Sequence, residues 1–168
     1  GGKATKKRRD VARKEKIEDI TTEEWEHTFR TNIESYFHLA KAAVPRMKPG
    51  SAIIASSSET AVIGAKSLLD YSATKGAINS FTQALAQNLI AKGTRVNAVA
   101  PGPVWTPLNP ADPGEPPEAV ANFGSQTPMG RPAQPEEIAP AYVFLASDAD
   151  SSYITGIVLP AMGGETMH

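Results

Sequence analysis

The sequence contains 168 residues, about the size of one ordinary domain with a single hydrophobic core. Hydrophobic residues make up 40% of the chain and charged residues 21%, which is typical of a globular protein and excludes a disordered chain. No apolar run approaches the roughly 18 residues that cross a bilayer, and the absence of cysteine excludes disulfides and thiolate metal sites. We therefore expect a soluble domain with no membrane partner, and the lack of cysteine fits the cytoplasm.

Charge is unevenly distributed along the chain. The net charge is −1, but the first sixteen residues hold eight Lys or Arg and two acids, while the rest carries nine bases and sixteen acids. A basic run such as residues 6–9 can be a nucleic-acid or anionic-surface tail, or simply a solvated terminus. No aromatic or glycine-rich recognition pattern accompanies it, so we predict a disordered segment over residues 1–10 and no nucleic-acid partner.

A long amphipathic helix is the first predicted element. Apolar side chains recur mostly three or four residues apart, at Trp25, Phe29, Ile33, Phe37, Ala40 and Val44. Thr21 and Glu24 match a capping box at its start, and Pro45 marks its end. The next run, "SAIIASSS" (51–58), is rich in small and β-branched residues and predicts a strand buried on both faces.

Helices and strands continue to alternate in the rest of the chain. Residues 71–91 are helical in period, and Gly93 supplies the stop. "TRVNAVA" predicts a second buried strand, and "TGIVLPAMGG" predicts a third. The region 101–140 holds eleven of the fourteen prolines, so we expect mainly irregular structure, with short helices near "PEAVANF" and "PEEIAPAYVFLAS".

Strands that are apolar throughout, separated by helices, are typical of a parallel sheet covered on both faces. The predicted fold class is therefore α/β. Ligands of such sheets bind beyond the carboxyl ends of the strands, which in this sequence are "SSS", "APGPVWTP" and "PAMGG".

Two polar residues of the second long helix have a spacing that permits chemistry. Tyr71 and Lys75 are four residues apart, so they share one helix face with Cβ atoms about 6 Å apart. A cation that close lowers the pKa of a phenol, which makes the phenol a better base. Ser58 ends the preceding strand, and its hydroxyl can hold a substrate oxygen beside the phenol. Spacing alone is equally typical of a packed aromatic residue beside a solvated amine.

The combination of these residues resembles the short-chain dehydrogenase/reductase family. Its most specific element is a Tyr, three residues and a Lys, "YSATK", with Ser58 thirteen residues before Tyr71, and "RTNI" and "APGPVWTP" lie in matching order. The resemblance runs from about Val11 to Gly164 and implies that 11–168 is the C-terminal part of a Rossmann-like, doubly wound domain. About three parallel strands would belong to this part, with a proline-rich substrate lid over about 103–135.

The resemblance also implies a role for each matching residue. Tyr71 would be the general acid and base, Ser58 would orient the reacting oxygen, and Lys75 would lower the Tyr71 pKa and bind the nicotinamide ribose. Asn32 matches the Asn that holds a water in the proton relay behind the Lys. The loop against the nicotinamide is matched by Pro101, Gly102, Val104 and Thr106. The implied cofactor is NAD or NADP, with no metal.

Within the family, "DYSATKGAI", "TPMGRP" and "PAYVFLASD" are most similar to a branch described as glucose or ribitol dehydrogenase-like, or as general stress oxidoreductases. The implied function is hydride transfer between an alcohol of sugar or polyol type and a carbonyl compound. Trp105, Phe123 and Met129 would either line the substrate pocket or pack within the lid. Relatives assemble through their two long helices, which implies a homo-oligomer.

The sequence also departs from the family pattern. It has no early strand followed by a glycine-rich turn, the motif that binds the cofactor pyrophosphate and precedes the residues that select NAD or NADP. Ala55 and Pro160 replace more polar residues and are expected to alter packing rather than chemistry. The strand at 51–58 would have a bare edge, so we expect the chain to be marginally stable alone. The alternative function is therefore a catalytically silent fragment that acts only through association.

Overall fold

The computed structural model describes residues 16–111 and 116–166 of the chain. The predicted disordered segment 1–10 lies outside the described residues. The helices are α1 (Thr22–Phe29), α2 (Ser35–Ala43), α3 (Thr60–Ile63), α4 (Leu69–Leu89), α5 (Leu108–Ala111), α6 (Pro117–Ala121), α7 (Pro135–Ala146) and α8 (Asp148–Ser151). The strands are β1 (Ala52–Ser56), β2 (Arg95–Pro101) and β3 (Val158–Ala161).

The predicted first helix is confirmed, with one irregular turn. Its capping box is present, because the Thr21 Oγ1 accepts the Glu24 backbone N–H at 3.2 Å and the Glu24 carboxylate accepts the Thr21 N–H at 3.0 Å. Between α1 and α2 the segment Arg30–Glu34 forms a π turn, in which the Ser35 N–H donates to the Arg30 carbonyl. The sequence does not predict this wider turn, because its apolar spacing of four residues is equally compatible with an α-helix.

The three strands form one parallel sheet in the order β1, β2, β3, which confirms the α/β fold class. In the register of the sheet, Ala52 faces Arg95 and Ala98 faces Val158. Every residue from Arg95 to Ala100 is buried, as predicted for the central strand. The strand β1 differs from its prediction: of its five residues only Ala55 is buried, because β1 lies at one edge of the sheet.

Helices α4 and α7 contribute the apolar side chains that bury β2. From α4, Ile78 packs with Ala55 and Ala98, and a second group of buried side chains joins Ala86 and Leu89 to Val96. From α7, Ile138 and Leu145 pack against Val99. Ala55 is buried in the core, whereas Pro160 is exposed on the edge strand β3, where the missing N–H is tolerated.

Local signals in the sequence fix the ends of both helices. Helix α4 extends through a 3-10 turn to Gly93, which adopts the left-handed conformation with a φ of 66°. Helix α7 begins at Pro135, with Gln134 and Glu137 forming a capping box. Within residues 16–111 and 116–166 no helix is long and apolar enough to cross a membrane.

Candidate active site

The carboxyl ends of the strands bring the predicted site residues to one edge of the sheet. Ser57 and Ser58 follow β1, and the Ser57 N–H donates to the Val99 carbonyl at 2.7 Å. The next residue, Glu59, donates its N–H to the Pro101 carbonyl at 2.9 Å, which extends the contact between the two segments beyond the strands. The turn after β1 is thereby held against the loop after β2.

The Ser58 hydroxyl lies close enough to the Tyr71 phenol to favour its ionised form. Ser58 is only 8% exposed, and its Oγ also accepts from the Thr60 N–H at 3.2 Å and lies 3.1 Å from the Thr60 Oγ1. Tyr71 is half-buried in the first turn of α4. The two hydroxyls form a pair at which one substrate oxygen can accept and donate a hydrogen bond.

Lys75 lies one turn after Tyr71, as the spacing predicts. Its Nζ donates to the Ser56 carbonyl at 2.8 Å and is 5.3 Å from the centroid of the Tyr71 ring. An ammonium group has three N–H donors, so its other donors remain able to bind hydroxyl groups of a ligand. Burial lowers the pKa of Lys75.

The pKa of the Tyr71 phenol is raised, and not lowered as the sequence predicts. Burial raises the pKa of Tyr71 above 10.0, the hydrogen bond from Ser58 opposes this rise, and the negative charge of Glu59 adds to it. Desolvation of the phenolate therefore outweighs the favourable interactions that the described residues supply.

Asn32 lies in the π turn and reaches Tyr71 indirectly. Its Nδ2 donates to the Thr74 Oγ1 at 3.0 Å, and that hydroxyl donates to the Tyr71 backbone carbonyl at 2.7 Å. Thr74, the middle residue of this chain of hydrogen bonds, is fully buried. The water-holding role that the resemblance implies for Asn32 stays a prediction.

The loop after β2 is fixed at its first residues. The Gly102 N–H donates to the Ala161 carbonyl at 3.0 Å, and a Cβ on Gly102 would lie 3.1 Å from the Met162 Cα and 3.0 Å from the Glu59 Oε2. Glycine is therefore the residue that fits this close approach. Farther along, Val104 forms an isolated parallel bridge with Ala133.

Thr106 closes the loop with a turn of its own. Its N–H donates to the Asn109 Oδ1 at 2.7 Å, and its Oγ1 donates to the same oxygen at 3.2 Å and accepts the Leu108 N–H at 3.3 Å. Thr106 is thus engaged with its own loop, whereas Gly102 approaches the Glu59 side chain. Of the loop residues, Pro101 and Gly102 are the two whose contacts connect the loop with the Ser58 turn, Pro101 through its carbonyl and Gly102 through its approach to the Glu59 side chain.

Glu59 is the site residue that sequence reasoning missed. Burial and the charge of Glu165 raise the pKa of Glu59. Its side chain lies beside Gly102, and its negative charge raises the pKa of Tyr71. Glu59 therefore lies between the reacting hydroxyls and the loop after β2. The sequence does contain a signal for this residue, because Glu59 directly follows Ser58 in "SSSET".

The three predicted lid or pocket residues separate into two groups. Trp105 and Phe123 pack together with ring centroids 6.1 Å apart. Met129 is 64% exposed and lines a cavity of about 220 Å³ next to Gly102 and Met162. Within the described ranges no group of His, Cys, Asp or Glu is arranged to hold a metal ion.

The described residues fit the nicotinamide end of a dinucleotide. Tyr71 and Lys75 present hydroxyl and ammonium donors at the sheet edge, and the backbone at Gly102 comes close to this edge without a side chain. Between residues 16 and 111 and between 116 and 166, no glycine-rich turn joins a strand to a helix N-terminus, so these parts contain no pyrophosphate cradle of that type.

Comparisons with known proteins identify the family of this chain. The family described as enoyl-(acyl carrier protein) reductase matches residues 7–166. General stress protein 39 of Bacillus subtilis is 56% identical over 151 residues, which cover 90% of this chain and 52% of that protein. NADPH-dependent aldehyde reductase 1, chloroplastic, of Arabidopsis thaliana is 55% identical over 152 residues, again 90% of this chain and 52% of that protein.

A solved structure gives the same result for the fold. The short-chain dehydrogenase/reductase described as glucose/ribitol dehydrogenase from Brucella melitensis superposes with a TM-score of 0.79 at 35% identity, covering 90% of this chain and 60% of that one. The present chain spans about half the length of the curated relatives it matches. Both the sequence match and the fold lead to one conclusion: the chain belongs to the short-chain dehydrogenase/reductase family.

Proposed function

We propose that this chain carries the chemical residues of an NAD(P)-dependent oxidoreductase that interconverts an alcohol and a carbonyl compound. The single observation that carries the proposal is the convergence of three side chains. The Ser58 hydroxyl is close enough to the Tyr71 phenol to lower its pKa, and the Lys75 ammonium lies 5.3 Å from the Tyr71 ring. Few other chemistries require a phenol and an ammonium in this arrangement beside an orienting hydroxyl.

In the proposed mechanism, Ser58 and Tyr71 hold the reacting oxygen. The Ser58 Oγ orients it, and the Tyr71 hydroxyl gives it a proton in reduction or takes one in oxidation. Because burial raises the pKa of Tyr71, the phenol is protonated at neutral pH and ready to act as an acid. Reduction uses the proton of this phenol directly, whereas oxidation requires the phenol to lose its proton first.

The cofactor assigned to this site is NAD or NADP, which supplies the hydride when bound. Lys75 is the residue assigned to the nicotinamide ribose, and the loop residues assigned to the nicotinamide are Pro101, Gly102, Val104 and Thr106. Support comes from the ammonium donors of Lys75 and from the bare backbone at Gly102. The relative named as an NADPH-dependent aldehyde reductase makes NADPH one of the two cofactors to test.

The proposed substrate is an alcohol of sugar or polyol type, or the matching aldehyde. Names of similar proteins support this class, since one is described as glucose/ribitol dehydrogenase and another as an aldehyde reductase. The proposed lid over about 103–135, with Met129 beside Gly102, would cover this substrate. A cytoplasmic location is part of the same proposal, on the grounds that the chain has no cysteine.

We also propose that the chain forms a homo-oligomer through the paired helices α2 and α4. An apolar groove of about 510 Å³ follows this pair, and its apolar side chains include Phe37, Val44, Phe81 and Leu85. Phe37 is 43% exposed, which leaves a large aromatic surface to solvent. The second candidate function is a silent chain that acts only by association. The same groove supports it. The lack of a glycine-rich phosphate turn among the described residues supports it separately.

The first test is a cofactor titration of the purified chain. Titration with NADH and NADPH, followed by cofactor fluorescence, should give saturable micromolar binding if the nicotinamide end and oligomer contacts suffice. No binding to a folded chain would favour the silent alternative.

The Tyr71→Phe variant then tests the chemistry. In any active form of the protein, removal of the Tyr71 hydroxyl should reduce turnover by at least about a hundredfold, because proton transfer is lost, while cofactor binding is retained. Turnover of aldehydes would be followed by NADPH absorbance. Full activity of Tyr71→Phe would overturn the assignment of Tyr71.

A further inference from the structure

The N-terminus of α4 is capped from inside the helix. Leu68, at the N-cap position, has no side chain that can accept a hydrogen bond, and the first intrahelical bond is from the Ser72 N–H to the Leu68 carbonyl at 2.8 Å. The N–H of Tyr71 therefore has no carbonyl partner in the helix. The Asp70 side chain provides the acceptor instead, since its carboxylate Oδ1 accepts the Tyr71 N–H at 2.8 Å.

The other carboxylate oxygen of Asp70 is bound by a different helix. The Thr28 Oγ1, on α1, lies 2.6 Å from the Asp70 Oδ2 and 3.1 Å from the Glu24 carbonyl. A hydroxyl has one proton, and a distance of about 2.6 Å is typical of donation to a charged carboxylate. The proton therefore goes to Asp70, which joins α1 to the backbone of Tyr71.

This link acts on the residue whose position matters most for the proposed chemistry. The first turn of a helix frays readily unless its N–H groups are bound, and Tyr71 lies in that turn. The Tyr71 carbonyl is already held by Thr74 at 2.7 Å. With Asp70 on its N–H, both polar backbone groups of Tyr71 are held by side chains.

We propose that Thr28 and Asp70 are positioning residues for Tyr71, whose backbone they hold in place so that its hydroxyl stays beside Ser58. This inference rests on the proposed role of Tyr71. Neither residue touches a substrate in this scheme, so both act through the backbone of Tyr71 and not on the reacting atoms. A displacement of about 1 Å at the reacting group is enough to slow a reaction substantially.

The test compares Thr28→Val with Thr28→Ser. Valine has nearly the same shape and cannot donate a hydrogen bond, whereas serine keeps the hydroxyl. The control is Thr31→Val, which removes the same atoms from an exposed position three residues later. Thermal unfolding of each variant reports its overall stability.

Two readouts do not depend on catalysis. Amide hydrogen exchange at Tyr71 should be about tenfold faster in Thr28→Val and close to wild type in Thr28→Ser and Thr31→Val. The phenol pKa, from ultraviolet titration with Tyr71→Phe as the blank, should move in Thr28→Val from its raised value towards 10.0, because the loosened turn exposes the ring.

A third readout uses any catalytically active form of the protein. Thr28→Val should lower kcat about tenfold with little change in the cofactor KM, and Thr28→Ser should restore kcat. Unchanged exchange at Tyr71 in Thr28→Val would overturn the inference, as would equal losses in Thr28→Val and Thr28→Ser. Failure of the proposed function is distinguishable, since it would abolish turnover but leave the exchange and titration differences between the variants intact.

Discussion

The behaviour of Tyr71 depends on the balance between burial and charge. The favourable hydrogen bond from Ser58 is outweighed by desolvation, and Glu59 adds a negative charge close by. Glu59 is itself held at a raised pKa by burial and by Glu165. The two groups are therefore coupled, and a change of charge on Glu59 is expected to alter the acid strength of the phenol.

The variant Glu59→Gln tests this coupling through the pH dependence of stability. A carboxyl whose pKa is raised above 4.5 in the folded state costs folding free energy once it ionises, and this cost is absent below pH 4.5. Glutamine removes the charge at nearly constant shape. The Tm of Glu59→Gln should therefore exceed that of the wild type at pH 7, and the difference should shrink to zero as the pH falls below about 4.5.

The same variant should lower the pKa of Tyr71, measured by ultraviolet titration. Glu34→Gln, at an exposed position on the first long helix, is the control and should change neither quantity. A Tm difference of the same size at pH 4 and pH 7 would contradict the prediction, because it would then arise from packing and not from ionisation.

The sequence predicts which residues lie near Tyr71 but not how burial and charge balance in its pKa. The spacing of Tyr71 and Lys75 requires a shared helix face in any α-helix, and the contact of 5.3 Å follows from it. The degree of burial of the phenol depends on side chains from other segments, which no local pattern specifies. Glu59 was missed for the same reason, since its neighbours Gly102 and Glu165 are far away in sequence.

At the scale of elements, a buried arginine joins β2 to the end of α7. The Arg95 Nη1 donates to the Leu145 carbonyl at 2.8 Å and to the Ser151 Oγ at 3.0 Å, and its Nη2 donates to the Ala146 carbonyl at 3.4 Å. Arg95 is only 6% exposed, and its charge lies at the negative end of the helix dipole. The last carbonyls of α7 are thereby satisfied inside the protein.

Arg95→Met should reduce the free energy of unfolding by about 3 kcal/mol, because buried carbonyl groups lose charged donors. The matched control is Arg46→Met. Arg46 also donates to a carbonyl near a helix end, that of Ala42 at 2.7 Å, but it is exposed and water can replace it. The control should cost less than about 1 kcal/mol.

Urea unfolding measures both variants, with the midpoint shifting and the slope unchanged. Equal midpoints for Arg95→Met and Arg46→Met would show that burial of Arg95 adds nothing to the stability of the contact. The sequence marks the start of β2 at this point but cannot reveal the acceptors of the Arg95 guanidinium, since Leu145 and Ser151 are 50 and 56 residues away.

At the scale of the whole molecule, the described residues form one three-stranded sheet whose two outer strands, β1 and β3, each pair with β2 alone. The order β1, β2, β3 was predictable, because successive parallel strands usually lie next to each other, and the predicted helices α4 and α7 pack on it. Full burial of β1 was predicted wrongly, since an apolar run does not reveal how many neighbours a strand has. Its exposure in this sheet fits a chain that spans about half of its curated relatives.

The proposed association through α2 and α4 is tested by charge. Ala84→Arg adds a cation to the apolar groove and should convert oligomers into monomers, because an unpaired buried charge is costly. Gln87→Arg is the control, since Gln87 is exposed on the same helix outside this groove. Sedimentation velocity gives the mass, and circular dichroism checks the fold. Oligomers that persist in Ala84→Arg would rule out this groove as the interface.

The π turn between α1 and α2 makes the length of this helix as important as its composition. A π turn contains one residue more than an α turn, and one residue corresponds to a rotation of about 100° around the helix axis. The extra residue directs the Tyr36 hydroxyl towards the buried Thr82 on α4, 3.3 Å away, and its ring towards Phe81. Deletion of a single residue within Arg30–Glu34 would turn the face of α2 away from α4, although every apolar side chain of α2 would still be present.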